Sequence, residues 1–285
     1  MLFRALKSLW RTPNRGIERA VRHEERVGRQ QDDPPARYER LDRAHAAAPL
    51  ATHLDLLYGS LQVGDRPLLE LLERTLAESN TASAPNKTLH RPLASFFLVK
   101  YFLHALPLGG LQAECGVFRG ASALFACRAA QAANPAYRGD GFHLIDSFEG
   151  LAAAVDEDRF VIHTPTGDAT RIAIQTGFAA SQETVRGTLK DFPGITYHQG
   201  WIPNVFSGVP DARWSFVHLD VDHYAPTYAC LEYFHPRMVA GGVIVCDDYG
   251  SPLFPGAQRA WDRYCDEHAL PYVVLDTGQS VFMKV

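Results

Sequence analysis

Residues 216–249, FVHLDVDHYAPTYACLEYFHPRMVAGGVIVCDDY, constrain the fold of this chain more than any other stretch. They predict a buried strand, a helix and a second buried strand. Each strand runs into a pair of aspartates, Asp220 with Asp222 and then Asp247 with Asp248. Parallel strands joined by a helix bring their carboxyl ends to the same edge of a sheet, where α/β folds bind ligands. We therefore expect all four aspartates at one edge of the sheet.

Four carboxylates at one edge repel one another and lose hydration when they are buried. Such a group is costly unless a cation, a proton or another partner compensates the charge. The stretch therefore predicts a divalent metal site beside a ligand crevice.

Composition limits the other classes of partner. The 285 residues suffice for one large α/β domain and an extension, and a net charge of -4 gives no argument for nucleic acid. No apolar run reaches the roughly 18 residues of a transmembrane span, and no secretory signal is visible, so a cytoplasmic location is expected. The five cysteines are scattered without a CxxC pair, which gives no indication of a zinc site.

The chain divides into three predicted parts. Residues 1–60 form a basic, partly ordered N-terminal extension. Its first thirty residues allow two interpretations. In the first they contact anionic lipid or a partner, and in the second they form a loose extension or a helix packed on a second subunit. The second of these is favoured. Residues 61–110 contain predicted helices at 66–78 and 90–106 and form a helical cap and oligomerisation segment, so we expect a homo-oligomer. Residues 111–285 form the core domain.

Within the core domain, strands alternate with helices. The predicted strands begin at residue 111 and continue at 141–146, 195–201, 214–220, 241–248, 272–276 and 280–285, the last two joined by a short turn. This pattern predicts a seven-stranded, mostly parallel sheet with helices on both faces and a C-terminal antiparallel hairpin. The long segment 152–191 should contain a helix at 181–192, preceded by a loop or lid near the crevice.

A second motif follows the first strand and opens a helix. Glu114, Gly116, Gly120 and Ser122 are spaced so that backbone can approach a ligand beside the free amides of a helix N-terminus. The spacing is not that of the dinucleotide fingerprint. Asp146 ends the next strand, where α/β nucleoside sites place the carboxylate that binds ribose, although a turn or capping role is the alternative. Together these residues favour a nucleoside ligand.

Five strings carry a family resemblance: ECGVFRGAS, LIDSFEGL, HLDVDHYAPTYACLEYFHPRMVAGGVIVCDDYG, PGAQRAWD and GQSVFMKV. They resemble the macrocin O-methyltransferase family over roughly residues 111–285. The resemblance implies a Rossmann-like class I methyltransferase fold and S-adenosylmethionine as methyl donor. It also implies Mg²⁺ in many members and a sugar hydroxyl of a small-molecule natural product as the acceptor.

Carried over position by position, the resemblance implies a role for each site residue. Those implied to bind the donor are Glu114, Gly116, Gly120, Ser122, Asp146, Ser147, Phe148, Gln199, Gly200, Trp201 and Asp220. Those implied to bind the metal are Asp222, Asp247 and Asp248.

His223 departs from the family pattern, in which we expect leucine. It is a candidate base or additional ligand, together with Asp222 as a catalytic candidate, although in an extended segment a residue next to a ligand points to the opposite face. Two other functions stay open. One is a non-catalytic donor-binding domain, and the other is a hydroxylase-like relative that uses the aspartates to bind iron, which the carboxylate-rich ligands do not favour.

Overall fold

The computed structural model of the protein describes residues 66–79, 92–163 and 169–285. The predicted extension at 1–60 lies outside these residues. The two helices predicted in the segment 61–110 are α1, Arg66–Ser79, and α2, Pro92–Ala105. None of the helices in the described part of the chain is long and apolar enough to cross a membrane.

Nine strands and four further helices follow α2 in the described ranges. The strands are β1 Leu111–Cys115, β2 Phe142–Asp146, β3 Phe160–His163, β4 Ala169–Ile172, β5 Thr196–Gln199, β6 Trp214–Leu219, β7 Met238–Cys246, β8 Val273–Val274 and β9 Ser280–Met283. The helices are α3 Ala121–Ala133, α4 Gln182–Thr188, α5 Tyr224–Phe234 and α6 Pro255–Glu267.

Seven of the strands form one sheet, in the order β5-β2-β1-β6-β7-β9-β8. The pairs among β5, β2, β1, β6 and β7 are parallel, whereas β9 runs antiparallel to both β7 and β8. The predicted seven-stranded, mostly parallel sheet with a closing antiparallel hairpin is therefore confirmed.

The strand order places a ligand crevice between β1 and β6. From β1 the chain moves to β2 and β5 on one side, then returns to pair β6 with the other side of β1. In open α/β sheets ligands bind at such a reversal, outside the carboxyl ends of the strands. The glycine motif after β1 and the first aspartate pair after β6 therefore meet at this point.

Alternation along the strands produces two apolar layers. Phe216 belongs to the layer that also buries Phe102 of α2, and the two rings pack edge to face with centroids 5.2 Å apart. Leu219 belongs to the opposite layer with Trp261 of α6. Successive strand residues face opposite sides of the sheet, so the apolar runs of β6 and β7 are buried on both faces. Helix α2 thus packs directly on the sheet.

The segment between β2 and α4 contains more regular structure than the predicted loop. We call residues 152–163 and 169–178 the insert. Its strands β3 and β4 form an antiparallel pair, preceded by a 3₁₀ turn at Asp156–Asp158. The following helix is shorter than the predicted 181–192. It ends at Thr188, after which the side chains of Leu189 and Phe192 are buried in the core.

Candidate functional site

The loop after β1 lies against the end of β6. Gly116 has a left-handed backbone, with φ of +81°, and a Cβ at this position would overlap the carbonyl oxygen of Asp220. Gly120 is also left-handed and begins α3, where a side chain would press on Val185 and Leu189. Both glycines are required by close packing, and only Gly116 brings backbone against an aspartate of residues 220–222, which we call the DVD segment.

Asp146 organises this loop from the end of β2. Its Oδ2 accepts hydrogen bonds from the backbone amides of Val117 and Phe118, at 2.6 and 3.3 Å. Its Oδ1 accepts from the amide of Phe148 at 2.6 Å. Three backbone donors therefore hold the carboxylate between the glycine loop and the turn after β2. Ser147 completes that turn, because its hydroxyl donates to the carbonyl of Gly150.

A cavity of about 440 Å³ opens beyond the end of β5. Its lining includes Gln199, Gly200 and Trp201, three of the residues that the resemblance implied to bind the donor. The Trp201 side chain is 39% exposed, which leaves its ring available to a flat ligand. The neighbouring strand end carries Asp146, since β2 pairs with β5 and Asp146 is in register with Gln199.

The aspartates at the ends of β6 and β7 converge only in part. Among the residues that the structure describes, His218, Asp220 and Asp247 form a group whose potential ligand atoms all lie within 4.8 Å of one another. Asp222 and Asp248, two members of the predicted metal set, are outside this group. Burial and the negative charges of Asp247 and Asp248 raise the pKa of the Asp220 carboxyl well above its usual range. His218, Asp220 and Asp247 are therefore the described residues that could hold a cation.

His218 was not among the residues predicted for the site. Its Nδ1 lies 3.6 Å from Glu114 Oε1 and its Nε2 lies 3.6 Å from Asp247 Oδ1, distances of ion pairs and not of hydrogen bonds. Burial alone would lower the pKa of His218, but the carboxylates of Asp247 and Glu114 raise it well above its usual range. The period of two in a strand could have identified His218, because it shares a sheet face with Asp220, two residues later.

Glu114 points into the interior. The Ser122 hydroxyl donates a hydrogen bond to its Oε1, and the residue is 2% exposed. Asp247 is held similarly, since Gln279 Nε2 donates to its Oδ1 at 2.6 Å. Glu114, His218 and Asp247 thus form a continuous polar layer under the crevice, which connects the donor side predicted at β1 to the carboxylates of β7.

The two catalytic candidates, Asp222 and His223, have different surroundings. Asp222 is half-buried and has a left-handed backbone, with φ of +60°. His223 is buried, with Nδ1 2.9 Å from the carbonyl oxygen of Ala152 and Nε2 3.1 Å from that of Ile174. Both ring nitrogens thus face the insert, and the ring would have to leave one carbonyl before it could accept a proton from an acceptor.

Aromatic rings from three loops meet above the crevice. Phe178 of the insert packs edge to face on Phe118 of the glycine loop, with centroids 5.7 Å apart. On its other side Phe178 lies 6.2 Å from Phe254, which precedes α6. Phe118 and Phe178 both have left-handed backbones, which is uncommon for bulky residues. The insert is therefore in contact with both halves of the crevice.

Comparisons with known proteins agree with this arrangement. The family model described as macrocin-O-methyltransferase (TylF) matches residues 105–282, more than half of the chain. A curated relative, the mycinamicin III 3''-O-methyltransferase of Micromonospora griseorubida, is 27% identical over 184 residues, which cover 60% of this chain and 66% of the relative. Another, the 8-demethyl-8-(2,3-dimethoxy-alpha-L-rhamnosyl)-tetracenomycin-C 4'-O-methyltransferase of Streptomyces olivaceus, is 30% identical over 142 residues. That match covers 48% of this chain and 51% of the relative.

Solved structures agree in fold. The O-methyltransferase NovP superposes with a TM-score of 0.59 at 16% identity, covering 78% of this chain and 98% of NovP. The calicheamicin methyltransferase CalS11 superposes with a TM-score of 0.55 at 19% identity, covering 89% of this chain and 94% of CalS11. The matches span about two thirds and about half of the lengths of the two curated relatives. With its matching fold and a family model that covers residues 105–282, the chain belongs to the macrocin O-methyltransferase family.

Proposed function

We propose that the protein is an S-adenosylmethionine-dependent O-methyltransferase that acts on a hydroxyl of a sugar or a glycosylated small molecule. The observation that carries the proposal is the contact between Gly116 and Asp220 at the strand reversal. It places a loop suited to a nucleoside ligand directly beside a cluster of carboxylates. Both curated relatives bear the names of O-methyltransferases, and the name of the second includes a rhamnosyl group, which agrees with this class of reaction.

The donor would occupy the half of the crevice formed by β1, β2 and β5. When bound there, S-adenosylmethionine would supply an electrophilic methyl group attached to a sulfonium sulfur. The rest of the donor would leave as a neutral thioether. Asp146 is the proposed partner of the ribose hydroxyls, and its carboxylate also shapes the glycine loop through Val117 and Phe118. The cavity at Gln199 and Trp201 is the proposed place of the adenine ring.

The acceptor would occupy the other half, beside β6 and β7. Asp220 and Asp247 are the proposed ligands of Mg²⁺, with Asp248 close enough to raise the pKa of Asp220. A hard divalent ion held by these carboxylates lowers the pKa of a bound hydroxyl and orients it. His218 offsets part of the negative charge from below the crevice.

Asp222 is the proposed general base. A sugar hydroxyl is a weak nucleophile near neutral pH, so its proton must leave as the oxygen attacks. Asp222 follows the proposed metal ligand Asp220 by two residues, yet it lies outside the group of potential ligand atoms. It can therefore accept a proton without giving up a position in the metal site. A cytoplasmic location and homo-oligomeric assembly stay predictions.

The first experiment is calorimetry with S-adenosylhomocysteine, with and without MgCl₂. We expect binding in the micromolar to sub-millimolar range, and its absence would contradict the proposal. The second is a donor-consumption assay with S-adenosylmethionine against rhamnosides, other glycosides, nucleoside-diphosphate sugars and simple phenols. Transfer to a sugar hydroxyl supports the proposed acceptor class. Donor binding without transfer to any acceptor would favour the non-catalytic alternative.

The metal and the base are tested by substitution. We expect Asp220→Asn to weaken Mg²⁺ binding by about 100-fold, measured by calorimetry, and to lower the rate of transfer to a similar degree. Asp222→Asn should lower the rate by about 100-fold or more while Mg²⁺ still binds. The control is Asp211→Asn, which changes an exposed aspartate paired with Arg237, before the start of β6 and thus at the opposite end of that strand from Asp220. Unchanged Mg²⁺ affinity in Asp220→Asn would remove this residue from the metal site.

A further inference from the structure

His223 joins the two ends of the insert to the start of α5. The Nδ1 atom contacts the carbonyl of Ala152, where the chain enters the insert, and Nε2 contacts that of Ile174, near its exit. A carbonyl oxygen only accepts hydrogen bonds, and a neutral imidazole has one N–H, so the ring donates to one of these carbonyls and lies in contact with the other. One buried side chain therefore closes the base of a segment more than twenty residues long.

A second contact joins the insert to the same helix. Asp158 is 2% exposed, and its Oδ1 accepts from the backbone amide of Tyr224 at 2.7 Å, while its Oδ2 accepts from Val155 at 2.8 Å. A Cβ at position 256 would overlap Asp158 Oδ1, so Gly256 leaves the room that this carboxylate needs. The amide of Tyr224 is one of the free donors of the first turn of α5, which an aspartate satisfies well.

A third contact comes from α6. Arg259 Nη1 donates to the carbonyl oxygens of Glu157 and Arg159, on both sides of the buried Asp158. The insert is thus held at its entry, at its 3₁₀ turn and at its exit. All three contacts lead to residues at the starts of α5 and α6, directly after Asp222 and shortly after Asp248.

These contacts determine where the insert lies relative to the two halves of the crevice. The donor half of the crevice is formed by β1, β2 and β5, whereas the insert is held at the ends of β6 and β7. Phe178, at its exit, reaches across to Phe118 of the glycine loop. The insert therefore packs on the residues that follow Asp222 and on the glycine loop, which makes it the candidate wall of the acceptor half of the crevice.

We propose that His223 is a positioning residue that holds the insert against the DVD segment and so fixes the acceptor relative to Asp222. The proposal rests on the function proposed above and assigns no proton transfer to His223. Without the imidazole, the carbonyls of Ala152 and Ile174 lose a buried donor, and the base of the insert opens. The acceptor would then bind more weakly and in poorer alignment. The donor site is held separately by Asp146 and Gly116, so donor binding should weaken less than acceptor binding, although Phe178 of the insert touches Phe118.

The test compares His223→Leu and His223→Gln with the wild-type chain. Leucine removes the donor, whereas the glutamine amide retains N–H groups that can reach one carbonyl. The matched control is His268→Leu, because the His268 ring also contacts a backbone carbonyl, that of Tyr264, but at the far end of α6. Thermal unfolding first establishes that each variant is folded.

Three readouts follow. We expect hydrogen exchange in peptides covering 152–163 and 169–178 to accelerate by about tenfold or more in His223→Leu. The KM for the sugar acceptor methylated by the wild type should rise by about tenfold or more, whereas the dissociation constant of S-adenosylhomocysteine should change by about threefold or less. His223→Gln should recover part of both effects, and His268→Leu should match the wild type.

Two results would overturn the proposal. One is unchanged exchange in the insert together with a loss of kcat of about 1,000-fold, which would identify His223 as the base. The other is unchanged exchange and unchanged KM. If His223→Leu does not fold, His223→Gln is compared with the wild type in its place, and smaller rises in exchange and in KM are expected, because the glutamine amide reaches only one of the two carbonyls. Failure of the wild type to bind donor or to methylate any acceptor would refute the proposed function, whereas the exchange readout requires no acceptor.

Discussion

The carbonyl oxygen of Asp220 occupies the space that a Cβ of residue 116 would fill. The two chain segments are also joined by a backbone hydrogen bond, because the amide of Asp220 donates to the carbonyl of Cys115 at 2.8 Å. The loop after β1 and the segment after β6 are therefore packed directly against each other. In the proposed enzyme this contact determines how far the donor lies from the carboxylates that receive the acceptor.

The first prediction concerns this contact. Gly116→Ala adds a methyl group that collides with backbone, and it also requires a left-handed residue other than glycine. We expect the variant to bind S-adenosylhomocysteine at least about 100-fold more weakly and to lose about 2–4 kcal/mol of unfolding free energy. Calorimetry and urea denaturation measure the two effects. The control is Gly187→Ala, because a Cβ on Gly187 meets nothing within 4 Å. A Gly116→Ala variant with wild-type affinity would show that the contact is not needed for donor binding.

The second prediction concerns the carboxylate of Asp146. Asparagine at this position lacks the negative charge. Its NH₂ group also cannot accept the backbone hydrogen bonds that one of the two carboxylate oxygens now accepts. We expect the dissociation constant of S-adenosylhomocysteine to rise by about 10- to 100-fold, because each hydrogen bond to a charged acceptor contributes about 1.5–3 kcal/mol. Calorimetry provides the measurement, with Asp211→Asn as the control. An affinity within about threefold of the wild type would contradict this role.

The third prediction concerns Phe178, which is 39% exposed between Phe118 and Phe254. Phe178→Ala should raise the acceptor KM by about tenfold and leave kcat within about threefold, since it removes an apolar contact and no reacting group. The acceptor KM of Phe178→Leu should lie between those of the wild type and Phe178→Ala. The control is Val161→Ala, which removes an exposed apolar side chain from β3 of the same insert. Steady-state kinetics with the best glycoside acceptor measures both constants. An unchanged KM would exclude Phe178 from the acceptor site.

The fourth prediction concerns stability in acid. Burial and the neighbouring His198 lower the pKa of His143 to about 4, whereas in the unfolded chain the pKa is near 6.5. Between these values the unfolded chain binds more protons than the folded protein, so stability falls as the pH drops from about 6.5 towards 4, by about 2 kcal/mol. The two rings are joined by a hydrogen bond of 2.8 Å, which a doubly protonated pair could not form.

Urea denaturation at pH 7 and at pH 5 measures this effect. His143→Leu should show a shallower loss of stability with acid than the wild type, even if it is less stable at pH 7. His268→Leu, at the exposed end of α6, should keep the wild-type slope. Equal slopes for His143→Leu and the wild type would show that another group carries the acid sensitivity.

The sequence was sufficient to predict the elements in which the local residue pattern and the chemistry of the side chains indicate the same structure. The apolar runs of β6 and β7 are buried on both faces, so their strand character and parallel pairing could be predicted from residues 216–249 alone. The same holds for the glycine loop and for Asp146, whose positions follow from the order of strands and helices. The closing hairpin followed from the short turn before β9.

The insert and its contacts could not be predicted in this way. The hairpin β3–β4 belongs to a stretch whose polar and apolar residues alternate weakly, and its hydrogen bonds to α5 and α6 involve residues distant in the chain. Asp158, His223 and Arg259 are separated by up to about a hundred residues, yet they hold one segment. Nothing in local sequence specifies which backbone carbonyl a buried histidine will meet.

The four aspartates at the ends of β6 and β7 also show what the sequence alone could not predict, namely which of their side chains converge. Sequence alone determined that they end two neighbouring parallel strands, because strand period and chain order place them at one edge. Only the tertiary structure decided that Asp220 and not Asp222 lies with Asp247, and that His218 joins them. Which side chains converge depends on the twist between strands and on the left-handed turn at Asp222, and neither is encoded in residue spacing. The sequence thus determined the edge at which chemistry occurs, and packing across the sheet determined which carboxylates meet there.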